Sequence, residues 1–178
     1  MNTKRIIKLP ILLILLLLLF GNSSLGYSKG FIIKANTDSL NWYTMEQAQK
    51  LAKENNKKVF VFGQADWCHY CIKMEKEVFS KAETITLLNK YFYVVELTVD
   101  SDEELTFNGE TYTMSHLSGM LGVDATPTLF FIDEHGEFIA RQPGFMPAKV
   151  LNKILAFVGT NTYKEMSFTE YHGEKGRE

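Results

Sequence analysis

Hydrophobic and polar positions divide the chain into a short apolar leader, a long stretch of alternating helical and strand periods, and a polar end. Leu9 to Phe20 is apolar throughout and dominated by leucine, and the run stops at Gly21-Asn22-Ser23-Ser24. Beyond it, Phe31 to Lys34 has the pattern of a short strand and Asp38-Ser39-Leu40-Asn41 that of a turn. Thr44 to Asn55 predicts a helix, because Met45, Ala48, Leu51 and Ala52 share one face and Thr44-x-x-Gln47 has capping-box spacing. Val59-Phe60-Val61-Phe62, bounded by lysines and Gly63, is a continuous apolar run of strand length, as suits a strand buried on both faces. From Cys68 the period turns helical through Met74, Val78 and Phe79, and Ser80-x-x-Glu83 predicts the cap of a second stretch carrying Ile85, Leu87 and Leu88.

Tyr91 to Val99 is rich in aromatic and β-branched residues and predicts a strand. Glu104 to Tyr112 predicts a small hairpin about Asn108-Gly109, a dipeptide that favours the type I′ turn, and Ser115 to Leu121 a short helix ended by Gly122. Thr128 to Ile132 and Glu137 to Arg141 read as strands joined through Asp133-Glu134-His135-Gly136. Pro147 stands at the expected N1 position of a last helix whose apolar face is Val150, Leu151, Ile154, Leu155 and Val158. After Gly159 the chain is polar, and residues 160–178 are expected to form a loose or weakly docked tail. The resulting order is β-α-β-α-α-β-(hairpin)-α-β-β-α, without an internal repeat or a dividing linker. It implies an α/β domain with a central mixed sheet flanked by helices.

The leader changes what composition means. Lys4, Arg5 and Lys8 precede the apolar run with no acid among them, which is the layout of a secretory signal peptide. Ser24 and Gly26 place small residues at −3 and −1 for a cut after Gly26, with a cut at Ser23 or Ser24 as the alternative, giving a signal over residues 1–26 and one domain over 27–159. An uncleaved membrane anchor is the alternative, if Ile6 and Ile7 lengthen the span. Removing three of the 19 basic residues and none of the 21 acids leaves 16 against 21, net −5. A mildly acidic domain of this kind has no basic surplus for nucleic acid. Export also places the two cysteines in an environment where a dithiol is readily oxidised.

Cys68 and Cys71 are the only cysteines, and they stand where a buried strand gives way to a helix. Three residues along a helix return to nearly the same face, so the two sulfurs can meet. Free N–H groups and the positive dipole end lower the pKa of a thiol at a helix start, most for the first one. Cys68 is thus the expected exposed nucleophile and Cys71 the shielded resolving thiol. A cationic His69 beside Cys68 would favour the thiolate and make the disulfide more oxidising. A zinc site would need His69 and one of His116, His135 or His172 to complete four ligands. Haem attachment requires histidine directly after the second cysteine, where this chain has Ile72. A structural disulfide closing so short a loop removes little unfolded-state entropy. Redox use of the pair fits the strand-to-helix context best.

Val59-Phe-Val-Phe-Gly-Gln-Ala-Asp-Trp67-Cys68-His69-Tyr70-Cys71, then Gly122-Val-Asp-Ala-Thr126-Pro127-Thr128-Leu-Phe-Phe and Pro143-Gly144, resemble the thioredoxin superfamily. Within it the chain is most similar to bacterial periplasmic thioredoxin-related proteins of the SoxW type, and the likeness covers residues 40–158. The resemblance implies a thioredoxin-like fold in which Pro127 is a cis-proline facing the cysteines. Thr126 then exposes its backbone to pair with an extended substrate strand. It also implies that Gly144 lies beside the substrate groove and that Trp67 presents its indole. The Asn108-Gly109 hairpin is an insertion relative to a minimal thioredoxin, and from this we expect it to shape partner choice. The best-known members carry a buried aspartate six residues before the first cysteine, where this chain has Phe62. Proton transfer then runs through solvent or another acid, for which Glu96 is the candidate.

The expected activity is extracytoplasmic, periplasmic thiol:disulfide exchange by a monomer on protein thiol and disulfide substrates. Its redox centre is the Cys68–Cys71 disulfide, with no metal and no other cofactor. SoxW-like proteins are reductases recharged by a membrane electron donor, which favours reduction. His69 and the oxidising compartment suit a disulfide donor instead, and Tyr70 before the second cysteine resembles isomerases. A non-catalytic module holding a metal or an exported partner through Cys68, His69 and Cys71 is the other class of reading.

Overall fold

The computed structural model describes residues 39–175, so the leader, the cut after residue 26 and the Phe31–Lys34 strand lie outside the described residues. Helix α1 (Met45–Asn55) leads to β1 (Lys58–Gln64), α2 (His69–Met74), a π-helical turn (Glu75–Phe79) and α3 (Ala82–Tyr91). Strand β2 (Phe92–Thr98) follows, then the hairpin β3 (Glu104–Phe107) and β4 (Glu110–Thr113), and α4 (Met114–Met120). The chain continues through β5 (Thr128–Ile132), β6 (Phe138–Pro143), α5 (Ala148–Gly159), a 3-10 turn (Thr162–Lys164) and α6 (Phe168–Lys175).

The sheet has the order β2-β1-β5-β6 and is mixed. Strand β1 runs parallel to β2, across a helical crossover, and antiparallel to β5, which pairs antiparallel with β6. All seven residues of β1 are buried, the polar ends Lys58 and Gln64 included, and the apolar run Val59–Phe62 between them is covered on both faces. Trp42 adds a one-residue parallel bridge to Val94 at the outer edge of β2. The sequence pattern marked only a turn just ahead of it, because a single bridging residue has no period to detect.

Side-chain alternation in β1 sorts two cores. Phe60 and Phe62 join Leu129 and Phe131, the cysteines, Met74, Phe79 and the inner faces of α3 and α5. Val59 and Val61 face the other way, toward Met45, Ala48 and Ala52 of α1, Leu97, Phe107, Leu117 and Phe130.

Local signals held where a side chain could act on its own backbone. Thr44 and Gln47 form the reciprocal capping box, and Asn56 ends α1 in the left-handed region. Asn108 and Gly109 both have positive φ, 51° and 86°, as the type I′ turn requires. Three boundaries differ. Ser80 donates its hydroxyl to the Lys76 carbonyl at 2.6 Å and does not cap α3, whose N-cap is Lys81. Pro147 is the N-cap of α5, one position ahead of N1. Helix α4 begins at Met114, capped by the Thr113 hydroxyl, which accepts from the His116 N–H.

The hairpin packs through Phe107 onto the second core, and its tip is pinned. Asn108 accepts from the Gln49 amide, donates its backbone N–H to Gln49 Oε1 at 3.0 Å, and donates its amide to the Gly136 carbonyl at 3.3 Å. Gly136 belongs to the β5–β6 turn, and Ile132 before that turn pairs with Val59 at the start of β1. The tip therefore sits at the pole opposite the end from which β1 leads to Cys68.

Residues 160–175 also do more than the polar pattern suggested. The Phe157 ring of α5 lies 5.4 Å from Phe168 and 5.1 Å from Tyr171. Phe168 and Tyr171, well past the last apolar position of α5 at Val158, carry the docking, and two rings are too few to register as a stripe. Ending the chain at Ser167 strips both rings from Phe157. It is expected to lower the unfolding free energy by roughly 2 kcal/mol, from the apolar area the rings bury. Urea denaturation followed by circular dichroism measures this, and an unchanged midpoint would show that the segment contributes nothing.

Candidate active site

After Gln64 the buried strand ends, and Cys68 closes the connecting turn by donating its N–H to the Ala65 carbonyl at 2.9 Å. Cys68 is the N-cap of α2, with extended φ and ψ of −78° and 100°. Its Sγ accepts the backbone N–H of Cys71 at 3.1 Å. A hydrogen bond to sulfur at a helix start favours the thiolate over the thiol once the disulfide opens. The two residues are joined as a disulfide with their Cα atoms 5.2 Å apart. Cys68 is 4% exposed and Cys71 1%. The difference in access between them is thus smaller than the sequence reading supposed, because neighbouring side chains enclose both.

The residues next to the cysteines in sequence form an exposed, largely aromatic surface. Trp67 is 71% exposed and Tyr70 56%, with Ile72 beside them. Trp67 donates its indole N–H to Asp100 Oδ2 at 2.8 Å, which holds an otherwise free ring in one orientation. Tyr70 lies 6.2 Å from the ring of Phe145, and the Lys73 ammonium stands 4.6 Å over that same ring. His69 is exposed and its ring lies 6.1 Å from Tyr70.

The second motif reaches the same end of the sheet through β5. Thr128 pairs with Gly63, near the end of β1, so the residues just before Thr128 lie on the side where β1 leads to the cysteines. A Cβ on Gly63 would stand 3.0 Å from the Thr128 carbonyl, so the strands approach closely only because that position is glycine. The Thr126–Pro127 peptide is cis. Pro127 is buried, Thr126 is half-buried, and Gly144, at φ 87°, donates its N–H to the Pro127 carbonyl at 2.7 Å.

Glu96 lies on β2 in register with Phe62, on the face that carries the cysteines. Gln64 donates its side-chain amide to Glu96 Oε1 at 3.3 Å and to Thr98 Oγ1 at 3.1 Å. Burial raises the Glu96 pKa above its ordinary value, the carboxylates of Glu75 and Asp66 add to that, and the Gln64 hydrogen bond opposes it. Its hydrogen-bond partner among the described residues is Gln64, not a cysteine. Phe62 itself packs in an aromatic group, 5.0 Å from Phe79 and 6.4 Å from Trp42. No three His, Cys, Asp or Glu side chains converge as a metal site would need among the described residues. Asp100, Gln64 and Phe145 were not singled out from the sequence. Gln64 ends a strand and Asp100 and Phe145 lie in connecting segments, and only placement gives each a role.

A family model for the thioredoxin-like domain matches residues 45–159. A disulfide bond reductase DsbH of Chlamydia pneumoniae is 27% identical over 115 residues, which are 61% of this chain and 65% of that protein. An uncharacterised protein of Caenorhabditis elegans, B0495.5, is 33% identical over 81 residues, 44% of this chain and 11% of its own length. The chain thus spans less than two thirds of either curated relative. Among solved structures, a thioredoxin from Thermus thermophilus superposes with TM-score 0.55 at 30% identity, covering 67% of this chain and 87% of that one. A thioredoxin-fold protein from Helicobacter pylori reaches TM-score 0.64 at 18% identity over 80% and 96% of the two chains, a likeness of fold. With the mixed sheet, the cysteine pair opening α2 and the family match over most of the described residues, the chain belongs to the thioredoxin-like domain family.

Proposed function

We propose that the chain is an extracytoplasmic thiol:disulfide oxidoreductase that reduces protein disulfides through Cys68 and Cys71. The observation that carries this is the enclosed cysteine pair opening α2, with Cys68 Sγ accepting the Cys71 N–H inside an exposed aromatic surface. In the reduced form the Cys68 thiolate attacks one sulfur of a substrate disulfide. A Cys68–substrate disulfide forms and the other substrate sulfur leaves as a thiolate. Cys71 gives its proton to solvent or to a nearby carboxylate and attacks Cys68 Sγ. The Cys68–Cys71 bond forms, the second substrate thiolate leaves, and two electrons have passed to the substrate.

Trp67, Thr126, Pro127 and Gly144 border the approach to the pair and serve substrate binding. Reduction rather than oxidation is supported by the likeness to the Chlamydia pneumoniae protein named a disulfide bond reductase. Export to the periplasm is supported by Lys4, Arg5 and Lys8 ahead of the Leu9–Phe20 run. The oxidised pair needs two electrons from a donor, and a membrane dithiol donor on the outer side fits that address. No helix among the described residues is long and apolar enough to cross a membrane.

Replacing Cys71→Ser removes the resolving thiol, so mixed disulfides between Cys68 and partner proteins should accumulate and be lost in Cys68→Ser. Non-reducing electrophoresis of the exported fraction reads this, and absence of any adduct would sink the enzyme reading. Glu96 supplies a second test. With its pKa raised in the folded state, its contribution to stability is full below the ordinary carboxyl range and lost as pH rises through the raised value. Glu96→Gln should therefore raise the thermal midpoint at neutral pH and leave it nearly unchanged at about pH 3.5. If Glu96 receives the Cys71 proton, the same variant also displaces the pH profile of disulfide exchange, and an undisplaced profile removes Glu96 from the chemistry.

A further inference from the structure

Arg141 stands on the edge strand β6, in register with Phe130 of β5, and reaches over to the loop that joins α4 to β5. Its Nη1 donates to the Gly122 carbonyl and lies 3.9 Å from the Asp124 carboxylate. Gly122 is left-handed at φ 68°, and a Cβ there would come within 3.2 Å of Arg141 Nη1. The left-handed backbone calls for glycine at that position, and the guanidinium end lies close against it. Farther along the loop, Val123 donates its N–H to the Ser118 carbonyl at 3.0 Å and the Thr128 hydroxyl donates to the Ala125 carbonyl at 2.6 Å. The Pro127 carbonyl accepts from Gly144 at 2.7 Å.

The loop is thus tied at Gly122, Val123, Asp124, Ala125 and Pro127. Thr126 makes no hydrogen bond among the described residues. An unpaired backbone unit held from both sides at the cysteine end is a ready partner for an extended chain. Stability alone does not account for the arginine. Its side chain is 38% exposed and that of Asp124 74%, and ion pairs so open to water add little to folding. What the two contacts do is define the shape of the loop that carries Thr126.

We propose that Arg141 is a positioning residue for substrate binding. From β6 it holds the Gly122–Asp124 part of the loop so that Thr126 offers its backbone to a substrate segment entering beside Cys68. This rests on the reductase reading and adds that affinity for protein disulfides, apart from reactivity at sulfur, is set partly by a residue on the edge strand. Small disulfides and dithiols, which have no backbone to pair, bypass the loop.

Arg141→Met keeps the aliphatic stem and removes both contacts, while Arg141→Lys keeps the charge on a shorter reach. With insulin as the protein disulfide, Arg141→Met should raise KM roughly fivefold and leave kcat within about twofold of the parent. Reduction of the oxidised protein by dithiothreitol should stay within about twofold, and Arg141→Lys should recover part of the KM. An unchanged KM in Arg141→Met overturns the proposal, as does a parallel fall in kcat and in the dithiothreitol rate, the mark of a general structural defect. A parent protein that reacts with dithiothreitol but not with insulin overturns the reductase reading, and the proposal with it.

Discussion

Strand β1 lies between β2 and β5 with all seven of its residues buried, and its position is dictated from both sides. A slip of one residue would exchange Phe60 and Phe62 with Val59 and Val61 between the two cores, so neither neighbour permits it. The end of the strand is therefore a fixed point in space. Cys68 and Cys71 follow four and seven residues after Gln64, and Gly63 lets Thr128 close on the same end. The dithiol and the Thr126–Pro127 loop lie at the same end of the sheet because one sealed strand leads to the first and pairs with the strand that follows the second.

The chemistry at that end is arranged without a buried carboxylate directly before the cysteines. Phe62 occupies that place among Phe79 and Trp42, so the ground beneath the pair is apolar. Stabilisation of the Cys68 sulfur then comes from the Cys71 N–H, a fixed dipole that needs no proton of its own. Carboxylates are displaced sideways, to Glu96, Glu75 and Asp66, and burial together with the other two raises the affinity of Glu96 for its proton. The outer surface divides in character, with Asp66 and Asp100 on the Trp67 side and Lys73 over Phe145 on the Tyr70 side. A protein substrate meets a polarised aromatic surface rather than an enclosed pocket.

Much of this was open to reading from the chain. The apolar run of Val59–Phe62 marked the central strand, the Thr44 and Gln47 pair marked a helix start, and Asn108-Gly109 marked a hairpin, each through interactions within a few residues. The features that escaped have long-range causes. Trp42 bridges Val94 with a single residue, and Phe168 and Tyr171 dock on Phe157 without a repeating stripe. Ser80 had the spacing of a cap, yet its hydroxyl satisfies the Lys76 carbonyl one turn back. The hairpin was visible, but its orientation was not, because the Gln49 and Gly136 contacts that turn its tip away from the cysteines come from distant parts of the chain.

By itself the sequence determined the α/β order and the place of two cysteines, three residues apart, where a buried strand gives way to a helix. Periodicity, turn chemistry and motif spacing are local, and they survive in any representation of the chain. Only the tertiary structure decided how enclosed Cys68 is, which face Glu96 shares, that Asp100 orients Trp67 and that Arg141 holds the Gly122–Asp124 loop. Those partners are distant in sequence, Trp67 from Asp100 and Arg141 from Gly122, and nothing in one residue's neighbourhood records the other until packing brings them together.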